Sequence, residues 1–170
     1  MKGITTFLWF DDQAEEAANL YVSVFAGLGG PGGAGATRVT DVARYGESGA
    51  DAGGRAAGSV MTVAFQLGGR EFVALNGGPE FAFTEAVSLM INCETQDEVD
   101  ELWDKLSEGG EEGPCGWLKD RYGLSWQVVP TALTEMLQDE DGERADRVMK
   151  AMLQMKKIDI EALRQAYGQA

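Results

Sequence analysis

The sequence contains no histidine, and this absence excludes several kinds of chemistry at once. Serine–histidine and cysteine–histidine nucleophile pairs, zinc sites with histidine ligands and histidine acid–base catalysis all require the imidazole group. Cysteine is scarce too. The two cysteines, Cys93 and Cys115, are too few for a disulfide framework and form no C-x-x-C pair. We therefore expect the protein to reside in a reducing cytoplasm. Any catalysis must use carboxylates, tyrosine, lysine, a thiol or a cofactor.

Positive charge and long apolar runs are also scarce. The 14 basic residues stand against 28 acidic ones, which gives a net charge of −14. An acidic protein of this kind repels phosphate backbones and anionic membrane surfaces. No run reaches the roughly 18 consecutive apolar residues that a membrane span needs. The composition thus predicts an acidic cytoplasmic protein that binds neither nucleic acid nor membranes.

The chain carries an internal repeat that places Asp12 onto Thr95, 83 residues later. In each half an apolar run precedes the spacing of a capping box, from Asp12 to Glu15 and from Thr95 to Glu98. A stripe of apolar residues at helical spacing follows each box and ends near glycine. The repeat therefore predicts a strand followed by a helix at the start of both halves.

Strand-like runs follow each predicted helix. They cover residues 36–45, 59–67 and 71–76 in the first half, and 115–119 and 124–129 in the second. Gly68 and Gly69 form a two-residue hairpin signal between two of these runs. The pattern predicts an α+β fold of two βαβββ modules, about 1–80 and 84–130, in one domain over residues 1–130.

The pattern after Pro130 is helical only. Apolar residues recur at helical spacing, and the helix signals continue to Gly168. We predict that residues 131–170 form a helical C-terminal extension, packed either on its own domain or on a partner subunit.

Four long stretches resemble one known family across nearly the whole chain. They read ITTFLWFDDQAEEA, FVALNGGPEFAF, CGWLKDRYGLSWQVVP and AMLQMKKIDIEAL. These stretches resemble the PhnB-like proteins of the vicinal-oxygen-chelate (glyoxalase/bleomycin-resistance/dioxygenase) superfamily, whose sequence family is named after 3-demethylubiquinone-9 3-methyltransferase. The resemblance implies two βαβββ modules whose curved mixed sheets surround a pocket, usually in a homodimer.

The resemblance also implies where a divalent metal would bind. Glyoxalase-type enzymes hold the metal with side chains from the first and last strands of each module, and these places fall near Thr5, Ala74 or Asn76, Ser88 and Gln127. Gln127 stands where a glutamate ligand would be expected. Neutral amides and hydroxyls are poor ligands for Zn²⁺, Ni²⁺ or Mn²⁺. We expect no metal and no other cofactor, with a divalent metal as the alternative.

What remains is a cup with a few polar groups on an apolar and aromatic wall, which is typical of a small-molecule site. Strand alternation and the resemblance give the pocket candidates. They are Thr5, Phe7, Trp9, Asn76, Ser88, Met90, Trp117 and Gln127. Three alternatives stay open. Asn76 also fits an inter-module turn, Trp117 also fits a dimer contact, and Gln127 could simply satisfy Ser88 in a filled core.

Three functions are compatible with these features. The first, which we favour, is metal-independent binding of a small aromatic or amphipathic molecule by a homodimer. The second is an enzyme, either a divalent-metal-dependent lyase or dioxygenase or the methyltransferase of the family name. Methylation commonly uses a glycine-rich strand-to-helix turn for S-adenosylmethionine, and no such turn is visible. The third is an interaction module that acts through its dimer and its C-terminal helices. The sequence leaves the ligand and any catalytic residues open.

Overall fold

The computed structural model describes residues 3–28, 35–49 and 54–168. It divides into two compact units, Met1–Ala82 and Phe83–Ala170. Each unit contains one mixed four-stranded sheet with the order of a βαβββ module. The predicted α+β fold of two such modules is therefore confirmed.

The first unit consists of β1 (Thr6–Phe10), α1 (Ala14–Phe25), β2 (Arg38–Arg44), β3 (Val60–Leu67) and β4 (Arg70–Asn76). The strand order is β1-β4-β3-β2, with β1 parallel to β4 and the other neighbours antiparallel. Helix α1 packs on β3 and β4, and the core lies between this helix and one face of the sheet. The alternation of buried and half-buried residues along β3 and β4 follows from this one-sided cover.

The hairpin between β3 and β4 is the one that Gly68 and Gly69 predict. Their φ angles are +55° and +83°. A two-residue turn with positive φ at both positions matches the twist of the strands it joins, and glycine adopts it without steric cost.

The second unit begins with β5 (Ser88–Cys93), α2 (Gln96–Ser107), β6 (Glu111–Glu112), β7 (Trp117–Lys119) and β8 (Ser125–Pro130). The order is β5-β8-β7-β6, with β5 parallel to β8. Strand β6 was not predicted, since two glutamates carry no apolar alternation. Strand β7 starts later than predicted because Cys115 and Gly116 have φ of 57° and 82°, which interrupts extended backbone.

The C-terminal extension consists of α3 (Thr131–Leu137), α4 (Gly142–Met152) and α5 (Ile160–Gly168), and it packs on the second unit. Its buried side chains form a cluster with the end of β8, namely Val129, Leu133, Val148, Ile158 and Leu163. The backbone N–H groups of Cys115 and Gly116 donate to the carbonyls of Met155 and Lys156 at 2.8 and 2.7 Å. Of the two packing alternatives, the structure shows the extension on its own chain.

The two predicted capping boxes have different outcomes. Thr95 caps α2, because its hydroxyl accepts the Glu98 N–H at 3.2 Å. The prediction of a capping box at Asp12 is wrong. The N-cap of α1 is Gln13, and the Gln13 side chain makes no capping hydrogen bond to the helix. Instead the Asn76 side chain accepts the Ala14 N–H at 2.8 Å. A partner distant in sequence thus replaces the local cap.

None of the helices formed by the described residues is both long enough and apolar enough to cross a bilayer.

Candidate functional site

Strand pairing in the second sheet brings four of the predicted pocket residues together. Met90 lies opposite Gln127, Trp117 also lies opposite Gln127, and Ser88 lies opposite Ser125. Directly paired residues project from the same face of a sheet, and alternate residues of a strand do so as well. Ser88, Met90, Trp117 and Gln127 therefore share one face, which also carries Lys119 and Ser125. We call this set the open face of the second sheet.

The reverse face of this sheet is a packed core. Leu118, Trp126 and Val128 are buried there, on the side of α2. The Trp126 indole N–H donates to the buried carboxylate of Asp120 at 2.8 Å, and the same carboxylate accepts the Leu124 N–H. These bonds fix the turn between β7 and β8. The open face therefore sits on a rigid support.

Gln127 and Ser88 are joined on the open face. The Gln127 Nε2 donates to Ser88 Oγ at 2.8 Å, so the two side chains satisfy each other in part. They do not lie in a filled core, because both are half-buried and the adjacent Met90 is 54% exposed. Within the described residues the side-chain amide oxygen of Gln127, Oε1, has no hydrogen-bond partner. It remains available as an acceptor.

A cavity of about 460 Å³ adjoins the open face at β6 and β7. Its lining includes Glu85, Glu111, Glu112, Trp117, Lys119 and Ser125. Ser125 is 1% exposed, and its hydroxyl has no hydrogen-bond partner in the described part of the chain. Only Trp117 of these residues was a predicted pocket residue. Alternation along β8 also places Ser125 beside Gln127, but its burial without a partner depends on tertiary packing.

Charged groups around the cavity are partly neutralised. Lys119 Nζ lies 2.5 Å from Glu85 Oε1, and this hydrogen bond raises the pKa of Lys119 and lowers the pKa of Glu85. Glu112 accepts the Trp103 indole N–H at 3.2 Å and pairs with Lys156 at 3.3 Å. The pKa of Glu112 is lowered, first by the indole and then by the lysine. These carboxylates are therefore ionised at neutral pH.

Two predicted residues of the first unit share a face of their own sheet. Phe7 lies opposite Val73 and Trp9 opposite Leu75, and we call these four residues the open face of the first sheet. Phe7 is 63% exposed. Thr5, the third candidate here, precedes β1 and is exposed, so it is not a residue of the first strand as predicted.

Trp9 is covered by its own unit. Its indole N–H donates to the Gly78 carbonyl at 2.9 Å, and its ring meets Phe81 edge-to-face at 5.0 Å between centroids. A Cβ added at Gly77 would lie 2.2 Å from the ring, so only glycine fits there without a shift. The segment after β4 thus packs against the Trp9 surface that the sequence analysis assigned to a pocket.

Asn76 does not share the face of Phe7 and Trp9, which corrects its placement among the pocket residues. It lies on the buried face of β4 and is 6% exposed. Besides accepting the Ala14 N–H, it donates from Nδ2 to the Val60 carbonyl at 3.1 Å. A shift of one residue along a strand reverses the face of a side chain. Asn76 therefore has a structural role at the start of α1.

The comparisons with known proteins agree with this architecture. The family model described as 3-demethylubiquinone-9 3-methyltransferase matches residues 2–129. The chain belongs to this PhnB-like family. The match ends one residue before the end of β8, so the helical extension lies outside it. The predicted membership is thereby confirmed.

Solved structures similar to this PhnB-like chain show the same fold. A PhnB protein from Bacillus cereus is 34% identical, covers 76% of this chain and 99% of its own, and has a TM-score of 0.61. A Pseudomonas aeruginosa protein is 21% identical, with 76% and 98% covered and a TM-score of 0.58. The fosfomycin resistance protein FosX from Mesorhizobium loti is 14% identical, with 82% and 99% covered and a TM-score of 0.52. The last two show the fold alone. No curated protein matches the chain.

The residues of this PhnB-like chain do not fit the divalent metal that its superfamily implies. Ala74 has no donor atom in its side chain, and Asn76 lies on the buried face of its sheet. The Gln127 amide nitrogen donates to Ser88 and supplies no negative charge. Among residues 3–28, 35–49 and 54–168, no three His, Cys, Asp or Glu side chains converge as metal ligands would.

Proposed function

We propose that this PhnB-like chain binds a small organic molecule on the open face of the second sheet, without a metal. The observation that carries the proposal is the convergence of Ser88, Met90, Trp117 and Gln127 beside a cavity of about 460 Å³. The indole and the thioether supply apolar contact area, while the amide and the hydroxyl supply hydrogen bonds. The buried Ser125 hydroxyl, unpaired among the residues that the structure describes, adds a polar group that a ligand could satisfy.

The chemistry of the available donors supports metal independence. A divalent-metal-dependent lyase or dioxygenase would need anionic or imidazole ligands, and the pair Gln127 and Ser88 provides neither. The methyltransferase reaction of the family name has equally little support. The segments between β1 and α1 and between β5 and α2 contain no glycine that would let the backbone approach S-adenosylmethionine closely.

The proposal includes a homodimer in the cytoplasm. The family resemblance supports the dimer. Both cysteines are free, and burial raises the pKa of the Cys93 thiol to about 12, so this thiol stays protonated and unreactive. Free thiols fit a reducing compartment.

The first test is native mass spectrometry of the protein purified without chelator. We expect a dimer that carries a small organic adduct and no stoichiometric metal. The adduct should be lost or reduced in Trp117→Ala, which removes an aromatic wall of the cavity. The matched control is Leu153→Ala, since Leu153 is 56% exposed and lies outside the cavity.

Two outcomes would contradict the proposal. One divalent ion per chain, retained through buffer exchange, would overturn metal independence and favour the enzyme. An adduct retained equally by Trp117→Ala and by Leu153→Ala would place the ligand elsewhere on the molecule.

A further inference from the structure

The charges that line the cavity of the second unit are unbalanced. Three carboxylates, Glu85, Glu111 and Glu112, line it, and Lys119 is the one cation among the described lining residues. Glu85 is paired with Lys119 and Glu112 with Lys156. The Glu111 carboxylate forms no hydrogen bond or ion pair within the described residues. It contributes to the raised pKa of Lys119 only as a secondary influence, after Glu85. One negative charge at the cavity thus has no direct partner in the described part of the chain.

An aromatic surface and a buried hydroxyl adjoin this charge. Glu111 on β6 lies opposite Lys119 on β7 in the strand register, and Trp117 is two residues before Lys119 on β7. Trp117 is half-buried, and an indole face is the aromatic surface that attracts cations most strongly. The Ser125 hydroxyl, 1% exposed and unpaired in the described part of the chain, also lines the cavity. Its oxygen has the lone pairs to accept an N–H bond.

An anionic ligand does not fit these groups. It would have to displace Glu85 from a 2.5 Å contact with Lys119, and it would approach Glu111 directly. The net charge of −14 repels anions from the whole protein and attracts cations to it. A carboxylate, an indole face and a hydroxyl acceptor are instead the groups that recognise an ammonium ion.

We propose that the cavity binds an organic cation, an amine with an apolar body, with Glu111 as its counter-ion and Trp117 as its aromatic contact. This inference rests on the proposed function, because it names the ligand class of the same site. It assigns specificity to Glu111 and not to the paired glutamates.

The test uses three probes with the same aromatic body and different charges: naphthylmethylamine, naphthylmethanol and naphthoate. Binding to the full chain is measured by calorimetry at neutral pH, and the Trp117 indole signal is followed by NMR. We expect the amine to bind at least about threefold more tightly than the alcohol, and the naphthoate to bind most weakly. Salt should reduce the advantage of the amine, because the attraction is electrostatic.

Two surface variants isolate the charge. Glu111→Gln should abolish the preference for the amine over the alcohol while leaving alcohol binding unchanged. Glu140→Gln removes the same charge from an exposed position of the second unit outside the cavity, and it should keep the preference. Glu111 is exposed on a two-residue edge strand, so its substitution leaves the core intact.

The outcomes separate the two proposals. If the alcohol binds as tightly as the amine, or if Glu111→Gln keeps the preference, the cation assignment is wrong and the binding site stands. If none of the three probes shifts the Trp117 signal, small-molecule binding at this site is itself contradicted.

Discussion

The two modules share a topology and differ on their open faces. Phe7 of the first module and Met90 of the second occupy corresponding positions on the first strand, and both are exposed. The residues opposite them differ, since Phe7 faces Val73 across the strands and Met90 faces Gln127. The four named residues of the first open face are therefore apolar, although Thr62 of β3 lies on the same side of the sheet. The second open face has an amide and a hydroxyl and adjoins a cavity. In both modules the buried core lies on the helix-covered face, so the fold constrains the side chains of the other face less.

The modules also differ in how they are reinforced. The first sheet has strands of seven and eight residues in β2 and β3, but β6 and β7 of the second sheet have two and three. The second module adds the helical extension, whose core cluster continues the end of β8. A small sheet buries little apolar area, so the extension supplies the missing core.

The largest effect should come from breaking this reinforcement. Ile158 is fully buried in the cluster of the extension. Ile158→Ala should lower the free energy of unfolding by about 2–5 kcal/mol, because it removes apolar contacts and leaves a cavity. Denaturant unfolding measures the change. The exposed Leu153→Ala is the control and should stay within about 0.5 kcal/mol of the parent. Equally small losses in both variants would show that the extension is dispensable for the second module.

The second prediction tests the Asn76 cap of α1, which has no counterpart among the described residues of the second module. Asn76→Ala leaves the Ala14 N–H and the Val60 carbonyl without their side-chain partner. The free energy of unfolding should fall by about 1–3 kcal/mol. Asn92→Ala is the matched control, since Asn92 is exposed in the second module, and we expect little change. A variant of Asn76 with unchanged stability and weakened probe binding would instead support its earlier assignment to the pocket.

A third experiment asks whether the second open face can be given a metal site. Ser88→His combined with Gln127→Glu places an imidazole and a carboxylate where side chains now lie 2.8 Å apart. The double variant should bind Ni²⁺ or Zn²⁺ at least about tenfold more tightly than the parent chain, which corresponds to about 1.4 kcal/mol. Calorimetry on the folded variants measures this, with both single substitutions as controls. No gain in a folded double variant would mean that the two positions do not converge as the strand pairing indicates.

The smallest expected effect is a loss of folding stability at acidic pH. The pKa of Asp100 is lowered from its ordinary 3.8, chiefly by the Gln96 amide and next by Lys157. The pKa of Glu112 is lowered from 4.5 by Trp103 and then by Lys156. A carboxyl whose pKa is lowered in the folded state stabilises the fold fully when the pH is above its ordinary pKa. This stabilisation is lost as the pH falls through the pKa of the folded state.

We therefore expect the second module to lose a small part of its stability below pH 4.5. Unfolding midpoints across this range measure the loss. The variants Asp100→Asn and Glu112→Gln should flatten the profile, and Glu140→Gln should not. A profile that Asp100→Asn leaves unchanged would show that the pairs with Gln96 and Lys157 do not form in solution.

Local patterns predicted much of the fold and part of the candidate site. Alternation along β5 and β8 places Ser88, Met90 and Gln127 on one face, and the strand pairing agrees. The position of Trp117 stayed open in the sequence because β7 has only three residues and its partner is not evident from spacing. Asn76 was misplaced because it ends β4, where a shift of one position reverses the face. The sequence predicts a pocket and names Trp117 but misses the other residues that line the cavity, since they come from separate strands and loops.

The sequence by itself determined the order of the elements other than β6, the glycine hairpin, the Thr95 cap and the acidic charge. These features depend on residues within a few positions of one another, or on composition alone. Tertiary structure decided that Asn76 caps α1, that the extension completes the second core, and that Ser125 is buried beside the cavity with no hydrogen-bond partner among the described residues. The physical reason is that these contacts join residues far apart in sequence, so strand register and packing select them and local preferences do not.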